Sequence, residues 1–383
     1  MGVLGESFMA LIQYLTRIQF DFGALALLPD ELKLLGVKRP LLVTDPGIRA
    51  SDLFRRVSEK LPAGHAVYDG TPANPTESAV LAALKLYREA DCDGIVALGG
   101  GSSMDLAKGV RLLATHPEPL VQYAFIENGV AKIKPNMPAL VAIPTTAGTG
   151  SEVGRGAVII MRDGRKLGIG SPHLIPSVAI CDPELTFGLP PGLTAGTGLD
   201  AIAHCIETFI APAKNPPAEA IALDGLRRAS RHVERAVADG HDREARWEMM
   251  TAAMEGAMAF QKGLGAVHAL SHPLGSLEDL KLHHGTLNAL FLPPVLRFNR
   301  PNIGDKWDRL GEAMGLKPGG DVAAAIAALN ARLGLPASLR AMGVPEQVLP
   351  AMAEAATRDH CNPTNPRAAS KDDYLALLRE TMG

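Results

Sequence analysis

The first 187 residues alternate between short apolar runs and segments with helical spacing. Buried strands are predicted in "RPLLVTD" (39–45), "HAVYDG" (65–70), "GIVALGGG" (94–101) and the start of "ALVAIPTTAGTGSE" (139–152). Helices are predicted between them, over 51–61, 76–90 and 104–115. Because parallel strands need a crossover connection, which is usually a helix, this alternation predicts an α/β domain built on a parallel sheet.

The pattern changes near "DPELTFGLPPGLTAGTGLD" (182–200), which is interrupted by Pro190, Pro191 and several glycines. Beyond it, apolar positions recur with the helical period, and strand signals are nearly absent. Helices are predicted over 197–210, 218–238, 242–261, 263–277, 286–298, 321–333 and 371–382. We therefore expect two domains, an α/β domain over residues 1–187 and an all-helical domain over residues 188–383.

Composition excludes several classes of function. The net charge is −3 and no basic patch stands out, so no nucleic-acid partner is expected. No apolar run reaches the ~18 residues that span a bilayer, and "MGVLGESFMALIQYL" lacks the basic start and the cleavage site of a signal peptide. The cysteines are scattered without a CxxC motif, which argues against a disulfide framework or a cysteine zinc site. A cytoplasmic protein with reduced thiols and no membrane partner is expected.

Histidines are crowded into the segment "GAVHALSHPLGSLEDLKLHHG". His268 and His272 in this segment are four residues apart on a predicted helix, so they share one face. Asp200 and His204 have the same spacing in "GLDAIAHCIE", and His284 adds a further imidazole. One carboxylate with two or three imidazoles suits Fe(II) or Zn(II). Each histidine taken alone also fits an imidazole satisfied by hydrogen bonds, and Asp200 also fits a residue that interacts with the helix dipole.

Two glycine-rich segments follow predicted strands. "GGGSSMDLAK" (99–108) precedes a helix, a setting in which backbone N–H groups hold a pyrophosphate, although neither the P-loop nor the GxGxxG pattern is matched. In "PTTAGTGSE" (144–152), Thr145 and Thr146 can bond a phosphate or a ribose. Asp45, at the end of the first strand, can accept hydrogen bonds from an adenosine ribose and would repel a 2′-phosphate. Each of these features also fits an ordinary turn.

Taken together, these motifs resemble the iron-containing (group III) alcohol dehydrogenase family, from about residue 17 to the C-terminus. The resemblance is carried by "VTD" (43–45), "DGTPANPT" (69–76), "GGGSSMD" (99–105), "IPTTAGTGSEV" (143–153), "GLDAIAHCIE" (198–207), "GLGAVHALSHPLG" (263–275), "HHGTLNALFLP" (283–293) and "NPR" (365–367). It implies an N-terminal dinucleotide-binding domain and a C-terminal all-helical domain with the site between them, an architecture shared with dehydroquinate synthases.

The resemblance also implies roles for individual residues. One metal ion, usually Fe(II) and sometimes Zn(II), would be bound by Asp200, His204, His268 and His284. NAD, favoured over NADP by Asp45, would be bound by Asp45, Asn74, Gly101, Ser102, Asp105, Thr145, Thr146, Lys166 and Leu185. His272 would belong to a proton relay beside the nicotinamide. The metal would act as a Lewis acid on a short primary alcohol or diol, or on the matching aldehyde, while hydride passes to or from the nicotinamide. A homodimer or a larger homo-oligomer is expected.

The predicted substrate pocket departs from the family pattern. "SEVGRGAV" (151–158) places Arg155 and Gly156 where relatives carry apolar or amide residues. Gly156 would enlarge the pocket. Arg155 would recognise an anionic substrate such as a hydroxy acid or a semialdehyde, or would instead face solvent or a salt bridge. Phe260 and Cys361 would line the same pocket by analogy.

Two further questions stay open in the sequence. The stretch after His272 is longer than in the family pattern, which leaves a choice between His283 and His284, and the glycine that follows His284 favours His284. A glycerol dehydrogenase or a dehydroquinate synthase-like enzyme would share the two-domain architecture. The motifs "GLDAIAH" and "HALSHPLG" argue against both of these alternatives.

Overall fold

The computed structural model describes residues 16–383 of the chain. The expectation about a signal peptide concerns residues 1–15 and lies outside the described residues. Among the residues described, no helix has both the length and the apolar character that a bilayer crossing requires.

Strands in the first half of the chain form two sheets. They are β1 (Arg17–Phe20), β2 (Pro40–Val43), β3 (Ala66–Tyr68), β4 (Gly94–Gly99), β5 (Ala139–Pro144), β6 (Gly156–Ile160), β7 (Lys166–Gly170) and β8 (Val178–Cys181). Six of them form a parallel sheet in the order β1-β8-β5-β4-β2-β3, while β6 and β7 form an antiparallel hairpin. The predicted parallel sheet is confirmed.

Alternate side chains of the central strands enter different cores. On β5, Leu140 and Ala142 pack into one apolar cluster, whereas Val141 and Ile143 pack into another on the opposite face. This period of two is expected where helices cover both faces of a parallel sheet. Because both faces are filled, the open positions for a ligand lie at the carboxyl ends of the strands.

Helices connect the strands and then make up the second half of the chain. They are α1 (Leu28–Leu34), α2 (Pro46–Arg49), α3 (Asp52–Ser58), α4 (Glu77–Glu89), α5 (Gly101–Leu113), α6 (Pro191–Ile210), α7 (Pro216–Ala238), α8 (Arg243–Met258), α9 (Ala266–Leu274), α10 (His284–Asn299), α11 (Lys306–Ala313), α12 (Val322–Arg332), α13 (Leu349–Thr357) and α14 (Lys371–Glu380). From residue 191 onward the described chain contains no strand. The predicted combination of a parallel α/β half and a helical half is confirmed.

Several elements differ from the sequence predictions. Strands β1, β6, β7 and β8 and helices α1, α2, α11 and α13 are not among the predicted elements, and the helices predicted over 242–261 and 263–277 are shorter in the structure. Helix α5 begins at Gly101, three residues before the predicted start. It can begin there because Gly99 has a φ of +146°, a backbone conformation that L side chains rarely adopt.

The helical half packs against the end of the parallel sheet. Ala179 and Cys181 of β8 and Ala147 of the loop after β5 belong to the same apolar cluster as the helices. The carboxyl ends of the central strands therefore face the helices that carry the predicted metal ligands.

Candidate active site between the sheet and the helices

Three helices bring the predicted metal ligands together. Asp200 and His204 lie one turn apart on α6, His268 lies on α9, and His284 is the first residue of α10. The Oδ1 atom of Asp200 lies 3.6 Å from Nε2 of His204, 3.9 Å from Nε2 of His268 and 3.8 Å from Nε2 of His284. The structure thus converges four donor atoms that are spread over 85 residues of sequence.

The other ring nitrogen of each of these histidines has a partner. Nδ1 of His204 lies 3.2 Å from the carbonyl oxygen of Gly148, and Nδ1 of His284 lies 3.4 Å from the Ser271 hydroxyl. Nδ1 of His268 lies 2.5 Å from Oε2 of Glu207, a buried carboxylate on α6. Partners of this kind fix the orientation of a metal-binding imidazole and leave Nε2 directed at the ion.

A close helix contact sets the position of His284. A Cβ atom at Gly285 would lie 2.2 Å from the carbonyl oxygen of Gly196 on α6, so only glycine allows the two helices to approach this closely. The neighbouring His283 has a different role, since its Nδ1 accepts a hydrogen bond from the backbone N–H of Thr286 and caps α10. The structure therefore places His284, and not His283, beside Asp200.

The environment favours the neutral form of two of these imidazoles, those of His268 and His284. Burial lowers the pKa of His268 and of His284 well below the ordinary value, and the neighbouring histidines add to the effect at both rings. Burial also raises the pKa of Glu207 to about 7, against the hydrogen bonds that its carboxylate accepts from backbone N–H groups. A neutral imidazole presents a free lone pair, which is the form that binds a metal.

The donor set fits a divalent metal. Tetrahedral bonds of about 2.0–2.2 Å separate neighbouring donor atoms by about 3.4 Å, close to the distances around Asp200. Asn288, one turn after His284, directs Nδ2 to Asp200 Oδ1 at 2.7 Å and to Nε2 of His268 and His284 at 3.2 and 3.1 Å. Its own Oδ1 is buried and has no hydrogen-bond partner among the described residues. An additional cation at this point would satisfy that oxygen after rotation of the amide.

His272 belongs to a second, adjoining group. It lies one turn after His268 on α9, and its Nδ1 is 2.9 Å from Oδ2 of Asp359. His360 and Cys361 follow Asp359, and their donor atoms lie within 4.8 Å of those of His272 and Asp359. The ring of His272 stacks on that of His284 with 5.4 Å between centroids, so the two groups are in contact.

The predicted nucleotide residues meet at the carboxyl ends of β2, β4 and β5. Asp45 caps the short helix after β2 by accepting hydrogen bonds from the N–H groups of Gly47 and Ile48. The backbone N–H of Thr145 donates to the carbonyl oxygen of Gly99, and a Cβ at Gly101 would lie 2.5 Å from Thr149. The two glycine-rich loops are therefore packed together at the N-terminus of α5.

The other residues predicted to bind the nucleotide are bonded to, or packed against, other parts of the protein. Lys166 donates from Nζ to Oδ1 of Asn74 at 2.8 Å, and the Ser102 hydroxyl donates to the carbonyl oxygen of Ala73. Both carboxylate oxygens of Asp105 are used inside the protein, by the Ser151 hydroxyl and by the N–H of Val158. The remaining predicted residue, Leu185, is buried in an apolar cluster on one face of the sheet.

The predicted substrate-side residues lie around the hairpin and His204. The ring of Phe260 packs edge-on against His204 with 4.8 Å between centroids, and it lies 3.9 Å from a Cβ built at Gly154. Arg155 and Gly156 follow Gly154 at the start of β6. Cys361 is buried, and burial raises the pKa of its thiol well above the ordinary value, which suits a pocket wall and not a nucleophile.

Sequence reasoning did not find three polar residues of this site. Glu207 could have been noticed, because it is a carboxylate in an otherwise apolar stretch of α6. Asn288 could have been noticed from its spacing of four residues from His284 on one helix. Asp359 gave no signal, because it is 87 residues from His272 and only the fold brings the two together.

Comparison with known proteins identifies the family. The iron-containing alcohol dehydrogenase profile matches residues 16–183, and the C-terminal profile of the Fe-containing alcohol dehydrogenase family matches residues 194–382. The chain belongs to the iron-containing alcohol dehydrogenase family. The predicted family and the predicted alcohol dehydrogenase activity are thereby confirmed. The metal and nicotinamide cofactors implied by the resemblance are those of this family.

Individual relatives extend over almost the whole length of this alcohol dehydrogenase. It is 56% identical to 4-hydroxybutyrate dehydrogenase of Cupriavidus necator over 382 residues, which cover 98% of this chain and 100% of that protein. It is 37% identical to 1,3-propanediol dehydrogenase of Klebsiella pneumoniae, covering 94% and 96% of the two chains. A solved structure of 1,3-propanediol oxidoreductase matches with a TM-score of 0.89 at 36% identity, covering 97% of this chain and 100% of that one. The structure of a sulfoacetaldehyde reductase from Bifidobacterium kashiwanohense in complex with NAD+ matches with a TM-score of 0.85 at 27% identity, covering 98% and 99%.

Proposed function

We propose that this alcohol dehydrogenase interconverts a short ω-hydroxy acid of the 4-hydroxybutyrate type and its semialdehyde, with NAD as the hydride carrier. The observation that carries the proposal is the guanidinium of Arg155. It is partly buried, and it forms no hydrogen bond or ion pair with the side chains and backbone groups that the structure describes. The 4-hydroxybutyrate dehydrogenase relative at 56% identity supports the same substrate class.

An unpaired, partly buried guanidinium favours binding of an anion. Burial lowers the pKa of Arg155, and no acidic group contributes to that shift. Buried charges in proteins are normally paired, because desolvation without a partner is unfavourable. The residue before Arg155 approaches Phe260, which packs on His204, and this supports a position of Arg155 near the metal ligands. A carboxylate at the far end of the substrate from the reacting hydroxyl would supply the missing partner.

The metal would be held by Asp200, His204, His268 and His284, with Fe(II) as the family metal and Zn(II) as an alternative. When bound, it supplies a Lewis acid for the oxygen of the reacting alcohol. The chain's own contribution is orientation. Glu207, Ser271 and the Gly148 carbonyl hold the three imidazole rings with Nε2 directed at Asp200.

NAD would lie across the carboxyl ends of the central strands. Its pyrophosphate would face the N-terminus of α5 at Gly101 and Ser102, and Thr145 and Thr146 would bond it from the second loop. Asp45 would bond the adenosine ribose and repel a 2′-phosphate, which favours NAD over NADP. Lys166 and Asn74 would bind on the nicotinamide side. Asp105 would support the loop from behind, and Leu185 would contribute packing beneath the nucleotide.

His272 would accept the proton of the substrate hydroxyl during alcohol oxidation. It adjoins the metal ligands through its stack on His284, and its Nδ1 is already held by Asp359. Phe260, Gly156 and Cys361 would form the walls beside the substrate carbon chain. Gly156, at the start of β6, would leave room for the carbon chain of the substrate.

A neutral diol is the second candidate substrate. The 1,3-propanediol dehydrogenase relative at 37% identity favours it, and it would leave Arg155 without a role in binding. The wider expectations of a homodimer, of a cytoplasmic location and of a domain division between residues 187 and 188 are also proposals. Four free cysteines support a reducing compartment.

Replacement of Arg155 by methionine tests the substrate class. For Arg155→Met, we expect kcat/KM for 4-hydroxybutyrate to fall about 10- to 100-fold, the value of a charge-assisted hydrogen bond of about 1.5–3 kcal/mol. The rate with 1,4-butanediol, which has a hydroxyl in place of the carboxylate, should stay within about twofold. Arg162→Met is the matched control, because Arg162 lies just beyond the other end of β6 and its side chain is 62% exposed. Equal loss with both substrates, or a wild-type enzyme that prefers the diol, would contradict the carboxylate assignment.

A further inference from the structure

His272 is held by a carboxylate from a distant part of the chain. Asp359 lies in the turn after α13, and its Oδ2 is 2.9 Å from Nδ1 of His272. The two side chains are 3% and 5% exposed, so water does not compete for this contact. The other carboxylate oxygen accepts a hydrogen bond of 2.8 Å from the backbone N–H of Cys361. The carboxylate is therefore fixed at both oxygens.

Stacked rings prevent the imidazole of His272 from turning. Its ring is nearly parallel to the rings of His284 and His360, with 5.4 and 5.3 Å between centroids and interplanar angles of 10°. His360 is in turn backed by the ring of Phe125 at 5.2 Å, and it lies against Gly168, where an added Cβ would approach the ring to 2.6 Å. The ring thus has one orientation, with Nδ1 on Asp359 and Nε2 directed away from it.

We propose that Asp359 is a positioning residue that selects the tautomer of His272 in which Nδ1 carries the proton and Nε2 carries the lone pair. The inference rests on the proposed function, since it assigns Nε2 as the acceptor of the hydroxyl proton. In alcohol oxidation, the O–H proton passes to Nε2, the carbon-bound hydrogen leaves with two electrons to NAD⁺, and the carbonyl double bond forms. The products are the aldehyde, NADH and an imidazolium that stays next to the Asp359 carboxylate.

The electrostatics of Asp359 agree with this role. Burial acts to raise the pKa of its carboxyl, but His272 and His360, together with the hydrogen bonds that it accepts, lower this pKa well below its ordinary value. Asp359 therefore stays ionised, so that it accepts a hydrogen bond and does not donate one. An ionised carboxylate on Nδ1–H is the partner that orients a general-base histidine and stabilises the imidazolium.

The corresponding pair on the metal side shows why the tautomer matters. Glu207 holds Nδ1 of His268, and Nε2 of His268 then faces Asp200. Replacement of Asp359 by asparagine keeps the shape, but its amide can donate to Nδ1. The lone pair would then lie on Nδ1 and the proton on Nε2, which removes the proton acceptor without removing the ring.

A double-mutant cycle tests the inference. Asp359→Asn, His272→Ala and the double variant are compared with wild type for kcat and KM, using metal-loaded protein and NAD with whichever alcohol the wild type oxidises best. We expect kcat to fall about 100-fold in each single variant with little change in KM, within the range of general acid–base catalysis. In the His272→Ala background, Asp359→Asn should have no further effect, because its target is gone. Metal content and NAD affinity should match the wild type in all three variants.

Asp308→Asn is the control for the amide substitution itself. Asp308 lies on α11, outside the active site, and is exposed, so kcat should stay within about twofold of the wild-type value. If Asp359→Asn does not fold and bind metal and NAD, Asp359→Ser replaces it in the same cycle. Serine also removes the carboxylate and is smaller.

The outcomes separate this inference from the proposed function. A normal kcat in Asp359→Asn, or losses that multiply in the double variant, would overturn the role of Asp359 and leave the alcohol dehydrogenase assignment intact. A normal kcat in His272→Ala would overturn both the inference and the proposed proton acceptor. A wild type that oxidises no alcohol would overturn the proposed function together with the inference.

Discussion

Two imidazole–carboxylate pairs lie one turn apart on α9 and have different surroundings. His268 has Glu207 on Nδ1, and His272 has Asp359 on Nδ1. Nε2 of His268 faces Asp200 and the amide of Asn288. The hydrogen bond of the His272 ring is made at Nδ1, and Nε2 has no partner among the described side chains. Further donor atoms therefore surround Nε2 in the His268–Glu207 pair but not in the His272–Asp359 pair.

The comparison shows that the carboxylate alone does not determine the role of the histidine. Both carboxylates fix a tautomer and direct Nε2 away from themselves. The role then depends on what Nε2 meets, which is a second carboxylate and two more imidazoles for His268. A converging set of donors favours a metal, whereas a free Nε2 in a buried position favours proton transfer with a substrate.

The largest effect is expected from a substitution that separates the metal ligands without changing any of them. In Gly285→Ala, the added Cβ would lie 2.2 Å from the Gly196 carbonyl oxygen, so α10 must move away from α6 and carry His284 away from Asp200. We expect metal affinity to fall more than about 100-fold, since loss of an outer-shell partner alone reduces it about 10- to 100-fold. Metal content after dialysis against a chelator measures this.

A second helical glycine provides the control for Gly285→Ala. A Cβ at Gly311 on α11 would have its nearest neighbour at 3.7 Å, which is an ordinary contact. Gly311→Ala should retain wild-type metal content and gain up to about 1 kcal/mol of stability from helix propensity. A Gly285→Ala protein with full metal content would show that the close contact of α6 and α10 does not set the geometry of the ligands.

An intermediate effect is expected from Glu207→Gln. The amide can no longer act as an anionic acceptor for Nδ1 of His268, so we expect metal affinity to fall about 10- to 100-fold. Competition with a zinc-sensitive chelator measures the dissociation constant. Asp359→Asn is the matched control, because it changes the carboxylate of the other pair. It should leave the dissociation constant of the metal unchanged. If both variants lose metal to the same extent, the assignment of metal binding to one pair and proton transfer to the other is wrong.

The smallest effect is expected in the pH dependence of NAD binding, through Lys166. Burial lowers the pKa of Lys166 to about 8, against the attraction of Asp105, Asp200 and Asp359. Its cation is therefore present below pH 8 and is lost as the pH rises through this value. We expect the dissociation constant of NAD to rise by roughly tenfold, about 1.5 kcal/mol, between pH 7 and pH 9.5. Fluorescence titration measures it, and a Lys166→Met variant should show no such rise.

Much of the fold and the ligand pattern could be predicted because both depend on local sequence patterns. The short apolar runs of β4 and β5 and the spacing of four between Asp200 and His204 are visible in a short window of sequence. Strands β6 and β7 could not be predicted, because each has only five residues and the hairpin that they form is rich in glycine. Both properties weaken the sequence signal for a strand. Strands β1 and β8 have four residues each, and their pairing joins positions about 160 residues apart.

The carboxylates that divide the two histidines could not be predicted in the same way. Glu207 and His268 are separated by 61 residues, and Asp359 and His272 by 87. Only the packing of α6, α9 and the turn after α13 brings them into contact. The partial burial of Arg155 without a partner among the described side chains is likewise a property of the folded chain, because the sequence alone is also compatible with an Arg155 that faces solvent or forms a salt bridge.

We infer that the neighbouring imidazoles of His268 and His272 on α9 serve metal binding and proton transfer separately. The most direct test is a parallel measurement of bound metal and of kcat in His268→Ala and His272→Ala. We expect His268→Ala to lose its metal, whereas His272→Ala should keep a full complement of metal and lose about 100-fold or more in kcat. Loss of metal from His272→Ala to the extent seen in His268→Ala would contradict it.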